Sequence, residues 1–405
     1  MSGENKVFIM FFFRKLLVLP DTPDTEGLTR FTFKVAYPKI KIEFSVEGLE
    51  IMAPLETTTI GAFPKPKYVP IRDWFDLSRQ TGGMNTAETT RMYSRDIKNQ
   101  DAHEDLFLKA TKEILDIQLR SGISIPTDGE VRRENYIHYH CRHLDGFDFE
   151  SLEHRVLRDG AYETDLPAIR NKISHSGKSY SVHDYVASQN LSSKPVKFTL
   201  PGPLTIMDTT ADCFYNDRPK LNAALAETVN KEILSLVEAG CKYIQVDEPL
   251  FARSVKDALG FGMDGLERCF HNVPASVTRI VHMCCGYPDH LDDDDYKKAD
   301  PTSYHQLSEA IDVAAFDQIS IEDKHCCNDL ALLEKFQNKT VIFGAVAIAS
   351  SRLETVEEVR ERLQAAINHI DRDRLVVAPD CGLGLLSPKL AEDKLRVMCQ
   401  AAALI

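Results

Sequence analysis

Four side chains in three short stretches have the types to share one metal ion. They are His282 and Cys284 in His282-Met-Cys284, Glu322 closing Gln318-Ile-Ser-Ile-Glu322, and Cys381 in Pro379-Asp-Cys-Gly382. One imidazole, two thiols and one carboxylate suit a tetrahedral Zn²⁺, a borderline-soft ion that accepts N, S and O donors. His282 and Cys284 are two apart, so on a strand both face the same side. This is not the compact pairing of a structural zinc finger; folding has to assemble it. The chemistry on offer is thiol activation, because a metal holds a coordinated thiol as the nucleophilic thiolate.

Taken singly, each cysteine reads equally well as a small buried hydrophobe. The argument for zinc is the set, with every member just after a strand-like run. Other ligand-rich stretches compete. His138-Tyr-His140-Cys141-Arg-His143 reads as an ordinary surface segment. His325-Cys326-Cys327 follows Glu322 closely and offers a rival ligand. The acidic stretch from Asp289 to Asp294 reads as a solvated loop, without the Gly and Glu spacing of an EF-hand.

The elements that must position these residues recur along the chain. Eight apolar, strand-like runs alternate with helix-period segments: Thr57–Phe63, Ser124–Glu130, Val196–Pro201, Tyr243–Pro249, Arg279–Cys284, Gln318–Glu322, Val341–Ala347 and Leu375–Asp380. Continuously apolar strands between helices indicate a parallel sheet covered on its faces. Eight such units predict an α/β fold, a (β/α)8 TIM barrel, whose functional residues gather at the C-terminal strand ends. A doubly wound open sheet would show a Gly-rich first turn, and none is present.

Two intervening segments show the helical period. One carries Leu221, Leu225, Val229, Ile233 and Val237 on one stripe. The other carries Val356, Val359, Leu363, Ile367 and Ile370, opened by a capping box of Thr355 and Glu358. The spacing predicts insertions of extra helices and loops at about residues 64–120 and 131–195, after the first and second strands. Residues 1–52 form an appended N-terminal segment with alternating, strand-like stretches such as Phe31–Val35 and Ile40–Val46. Residues 53–405 are expected to form the zinc-binding barrel.

Composition narrows the function. The chain has 405 residues, a formal net charge of −13 and a pI near 5.5. That balance argues against a nucleic-acid partner, which needs a basic face. The apolar stretch Val7–Phe13 is too short to span a bilayer and ends at Arg14-Lys15, so no membrane role is expected. Ten cysteines dispersed along the chain, with no basic leader, imply a reducing, cytoplasmic setting rather than a disulfide framework.

At this point the residues carry a resemblance. Thr57-Thr-Thr-Ile-Gly-Ala-Phe-Pro64, Thr127-Asp-Gly-Glu130, Pro201-Gly-Pro-Leu-Thr205, Gly240-Cys-Lys-Tyr-Ile-Gln-Val-Asp-Glu-Pro249, His282-Met-Cys284 and Pro379-Asp-Cys-Gly-Leu383 occur in family order. The sequence resembles the C-terminal catalytic domain of cobalamin-independent methionine synthase, in a single-barrel form. Residues 1–52 lie outside the match. The resemblance implies a zinc-dependent methyltransferase that forms methionine from homocysteine and a methyl donor such as a methyltetrahydrofolate. It implies zinc on His282, Cys284, Glu322 and Cys381, with Glu322, the hardest donor, yielding to the incoming thiol. It places Glu130 and Asp247 on the substrate ammonium, and Ile60, Gly61 and Ala62 near its carboxylate. A structural ion pair with a nearby Lys or Arg is the competing reading of the two acids.

Several family positions are changed. The serine after Ile-Gly is Ala62, the aromatic expected against the pterin is missing from Ile206–Thr210, and Arg253 replaces an acid. The family's proton-donor histidine is Ala349. Thiol activation is therefore expected, while folate use is eroded at Thr209, Arg253 and Ala349. Two alternatives follow. One is an S-alkyltransferase using another thiol or donor, a methyl-corrinoid or an epoxide. The other is a non-catalytic zinc- or thiol-binding protein.

Overall fold

The computed structural model describes residues 31–37, 40–46, 53–73, 87–157, 162–287, 290–293, 296, 298–300 and 302–405. The chain divides into two compact units, Met1–Ala53 and Pro54–Ile405. In the first, β1 (Phe31–Tyr37) and β2 (Ile40–Val46) pair antiparallel, from Phe31 opposite Val46 to Tyr37 opposite Ile40. The period-two pattern in this stretch is that of such a ribbon.

The second unit carries, in chain order, β3 (Leu144–Leu157), β4 (Tyr162–His175), β5 (Lys197–Pro201), β6 (Ala211–Asp212), β7 (Tyr243–Asp247), β8 (Thr278–Met283), β9 (Gln318–Glu322), β10 (Thr340–Val346) and β11 (Leu375–Pro379). Six of them form one parallel sheet in the order β11-β10-β9-β8-β7-β5. Single parallel bridges join its two edges: Thr57 to Val377 of β11, Thr58 to Ile125, and Thr127 to Lys197 of β5. The segments around Thr57 and Ile125 thus stand as the first two staves of a TIM-type barrel. Full strands were expected over Thr57–Phe63 and Ser124–Glu130, yet each gives only bridges. Threonine hydroxyls add to the backbone bonds that remain there: Thr58 Oγ1 donates to the Ile125 carbonyl at 2.7 Å, and Thr59 Oγ1 to Gln118 Oε1 of the helix Glu104–Ser121 at 2.7 Å.

Inside the ring, Ile60, Ile280, Ile342, Val376 and Ala378 pack as a small inner cluster. A far larger apolar layer lies between the strands and the surrounding helices. The stripe read from Leu221 onward belongs to the helix Arg218–Glu238, with Leu221, Leu225, Val229 and Ile233 buried and the Asp217 side chain capping the Lys220 N–H. Thr355 and Glu358 form the expected reciprocal capping box at the start of the helix Val356–Ala366.

The first insertion holds the helix Ala87–Lys98 before the helix Glu104–Ser121. The second departs from expectation. Besides the helices Tyr136–Cys141 and Tyr180–Asn190 it contains the long antiparallel hairpin β3–β4. The histidine-rich run is not a surface segment either: His138, His140 and Cys141 are buried in the short helix. His138 Nε2 lies 3.1 Å from the Thr209 carbonyl and His140 Nδ1 2.8 Å from the Tyr180 hydroxyl. Burial pushes the two imidazoles down to about 4 and about 3, so both are neutral structural groups.

Candidate metal centre and substrate site

β8 and β11 end side by side with β9 and β10, so their tips share one rim. Here the ligand atoms of His282, Cys284 and Cys381 come within 4.8 Å of one another. His282 and Cys284 are almost fully buried, and Cys381 is half-buried. His282 Nε2 lies 3.3 Å from Cys381 Sγ. Its other nitrogen, Nδ1, lies 2.9 Å from Ser320 Oγ on β9, the residue that pairs with His282 in register. A hydrogen bond from Nδ1–H to Ser320 leaves the Nε2 lone pair for a metal. Burial pushes the imidazole down to about 3, so it is neutral, as ligation requires. The Cys381 thiol is raised well above its usual range by its hydrogen bond with Cys284 and by burial. Two adjacent thiols beside a neutral imidazole fit a cation that would stabilise both thiolates.

Glu322, the fourth expected ligand, stands in a neighbouring group with Cys285 and Cys326. Its Oε2 is 2.6 Å from Lys298 Nζ and 3.4 Å from Cys326 Sγ, and its Oε1 accepts from the Cys285 N–H at 3.2 Å. It remains close enough to the trio that its charge helps to raise the Cys381 thiol. Of the rival run, Cys326 touches Glu322, whereas Cys327 is exposed. His325 Nε2 accepts from the Ile348 and Ala349 N–H groups, both at 3.1 Å.

The two acids read as substrate ligands end the second stave and β7, on either side of β5. Glu130 closes a Gly-containing turn at φ 57°, with its N–H on Asp128. Its Oε1 accepts from Thr199 Oγ1 at 2.8 Å and lies 3.4 Å from Arg133 Nη1. A Cβ on Gly61 would meet that same oxygen at 2.6 Å, so the first stave needs a glycine there. Asp247 ends β7, and its Oδ1 accepts from Gln245 Nε2 at 2.7 Å. Burial is the main cause that raises both carboxyls; the charge of Asp128 adds for Glu130, and the charge of Glu130 adds for Asp247. Arg133 partly offsets this for Glu130, which is the ion pair weighed from sequence. Lys197 is fully buried and finds no hydrogen-bond partner among the described residues, and burial pushes it down to about 7. The Ile60, Gly61 and Ala62 carbonyls accept from Gln245, Thr127 Oγ1 and the Leu383 N–H.

Several residues at this rim went unread in the sequence. Ser320 and Gln245 each stand two before a named residue, Glu322 and Asp247, and share its strand face; that spacing was a usable signal. Tyr136 was not legible. Burial and then the charges of Asp247, Cys284, Cys381 and Glu130 hold its phenol well above the usual range. Lys298 and the Tyr287 hydroxyl, which donates to the Gly382 carbonyl at 3.0 Å, come from a loop with no motif. At the changed positions, Thr209 Oγ1 turns back to the Thr205 carbonyl, and Arg253 Nη2 donates to Tyr296 at 2.7 Å.

Comparison with known proteins converges on the same place. Residues 55–404 match the family described as the cobalamin-independent synthase catalytic domain. The chain is 27% identical over 351 residues to a methionine synthase of Sulfolobus acidocaldarius, covering 87% of this chain and 92% of that one. It is 27% identical over 354 residues to a methionine synthase of Saccharolobus solfataricus, covering 87% and 95%. A solved B12-independent methionine synthase from a Shewanella species, in complex with selenomethionine, superposes with a TM-score of 0.72 at 28% identity, over 87% of this chain and 98% of that one. A methyltransferase from Methanosarcina mazei shares the fold at a TM-score of 0.52 and 13% identity, over 88% and 94%. The chain therefore belongs to the cobalamin-independent methionine synthase catalytic-domain family and is a methyltransferase.

Proposed function

We propose that this methyltransferase binds Zn²⁺ through His282, Cys284, Cys381 and Glu322 and forms methionine from homocysteine and a methyl donor. The observation that carries the reading is the meeting of His282, Cys284 and Cys381 within 4.8 Å at the barrel rim. When bound, zinc lowers the pKa of a coordinated thiol so that it reacts as thiolate.

The chain's own residues supply the rest. Ser320 fixes the tautomer and orientation of His282. Glu130 and Asp247 hold the amino-acid ammonium; an added cation offsets the burial that raises both carboxyls and the charge of Glu130 that raises Asp247 further. The carbonyls of Ile60, Gly61 and Ala62 are engaged by the scaffold, so contact with the substrate carboxylate falls to their backbone N–H groups. The substrate sulfur forms the new S–CH₃ bond, and the pair in the breaking bond leaves with the donor.

The donor follows from where a proton can come from. His325, the imidazole nearest Ala349, accepts two backbone N–H bonds through Nε2 and is pushed down to about 4 by burial. It is a poor acid. A tetrahydrofolate amine leaving without a positioned acid loses about 10²–10⁴-fold in rate. A donor that departs without a proton, as a methyl-corrinoid does, suits this rim better. All ten cysteines are unpaired, which supports a reducing, cytoplasmic setting, and no helix among the described residues is long and apolar enough to cross a membrane.

The test is zinc content per chain for the wild type, Cys284→Ala and Cys381→Ala, followed by homocysteine titration with proton release recorded. Loss of zinc in both variants and release of about one proton per thiol bound are expected. Full zinc in both variants would sink the site. Zinc without thiol binding would leave a structural metal, and turnover with a different thiol or an epoxide would move the reaction class.

A further inference from the structure

Glu322 has a second seat, built from groups that the thiol-activating site does not use. The carboxylate is 1% exposed, and each oxygen has partners there: Lys298 Nζ and Cys326 Sγ on Oε2, the Cys285 N–H on Oε1. Its backbone is fixed independently. The Glu322 N–H donates to the Tyr304 hydroxyl at 3.1 Å, and Asn328 Nδ2 donates to the Glu322 carbonyl at 2.6 Å. The next three residues are fixed as well, with the Asp323, Lys324 and His325 N–H groups all on the Asp380 carboxylate. Only side-chain torsions are free to carry Glu322 between the Cys285 side and the Cys284 side of the rim.

From this geometry we propose that Lys298 is a positioning residue that competes with the metal for Glu322. It gives the carboxylate a paired place to go when a substrate thiol takes its position. The inference rests on the zinc reading above. Its physical basis is the cost of a lone buried carboxylate. Without a partner, Glu322 displaced from a metal would be an uncompensated charge in a dry rim. Lys298, with its side chain 26% exposed, supplies the partner without a change in fold. Charge is conserved through the exchange. Two protein thiolates and Zn²⁺ sum to zero, and either Glu322 or the substrate thiolate adds one negative charge. In the second case Glu322 is neutralised by Lys298. The exchange is therefore driven by differential binding of one carboxylate in two seats, and Lys298 sets the balance.

The experiment compares the full chain with Lys298→Met, Lys298→Gln and Lys298→Arg. Zinc affinity is read by chelator competition, homocysteine affinity by titration, and the coordination change by the visible spectrum of the Co²⁺ form. Removing the ammonium should tighten zinc and weaken homocysteine by about 5- to 150-fold, the usual range of a coupling between two equilibria. In Lys298→Met, the Co²⁺ spectrum should stay unresponsive at thiol concentrations that saturate the wild type. Lys298→Gln should move the same way, and Lys298→Arg should restore wild-type behaviour. Zinc and homocysteine weakening together in Lys298→Met and Lys298→Gln, or neither changing, would overturn the proposal. Absence of zinc from the wild type, or its retention in Cys284→Ala, would instead overturn the reading beneath it.

Discussion

Asp247→Asn should separate binding from stability, with opposite signs. The aspartate is 7% exposed, and its carboxyl is raised first by burial and then by the charge of Glu130. A folded-state pKa above the unfolded value means that the folded state binds more protons, so ionisation weakens the fold as pH rises. Asparagine removes that penalty and keeps the shape, including the acceptor for Gln245 Nε2 at 2.7 Å. The variant should match the wild type below about pH 4, the ordinary carboxylate range. It should become more stable as pH climbs through the raised pKa of Asp247. The gain at neutral pH is about 0.5–2 kcal/mol, in the range of other single stabilising changes. Binding should move the other way. Losing one partner of a buried charge contact costs about 2–5 kcal/mol, or roughly 30- to 5,000-fold in homocysteine Kd. Thermal melts between pH 4 and 8 and calorimetric titration of the zinc-loaded protein read the two effects. Unchanged Kd, or a melting temperature lowered at pH 8, would refute the assignment of Asp247 to the substrate ammonium.

Two further substitutions probe the scaffold behind the rim. Ser320→Ala removes the partner of His282 Nδ1 at 2.9 Å and should weaken zinc by about 10- to 100-fold, measured by chelator competition, with the fold intact. Lys394→Met breaks the ion pair with Glu354 at 2.7 Å, where the side chains are 0% and 2% exposed, and leaves a buried carboxylate with only the Ala347 N–H as partner. A loss of about 3–5 kcal/mol in denaturant unfolding is expected.

The sequence made the barrel legible where strands are apolar throughout. β5 and β7 to β11 fall within or beside the runs read from pattern alone. It was less faithful at the first two staves, where the ladder shrinks to isolated bridges supplemented by threonine hydroxyls, which a period count cannot see. The hairpin β3–β4 was missed for a similar reason. Its charged and polar stretches, such as Asp148–Arg155, lack a clean alternation, and the pairing register shifts between Asp148 and Glu153. In the site, residue types and strand-end position picked out His282, Cys284 and Cys381, whose ligand atoms meet within 4.8 Å. They could not name Lys298 or Tyr136, whose approach depends on loop geometry rather than on a repeat.

The same contrast bears on the chemistry. Residues read from strand tips have their positions set by the ring of strands, and those are the ones assigned to the thiol: the imidazole, the two cysteines, Glu130 and Asp247. Positions assigned to the donor lie on connections above the ring, and there the substitutions gather. Arg253 is tied to Tyr296 and packs so closely on Gly286 that a Cβ there would meet its guanidinium at 2.1 Å. Ala349 has its N–H on His325 and its carbonyl on the Asp292 N–H. These connections are built into local hydrogen bonds, not left as gaps where a family side chain has been deleted. A rim that had merely lost folate would be expected to leave the surrounding polar groups without partners, at a cost in stability. Here Arg253 and the Ala349 backbone are paired within the fold, so the changed positions are accommodated without orphaned polar groups.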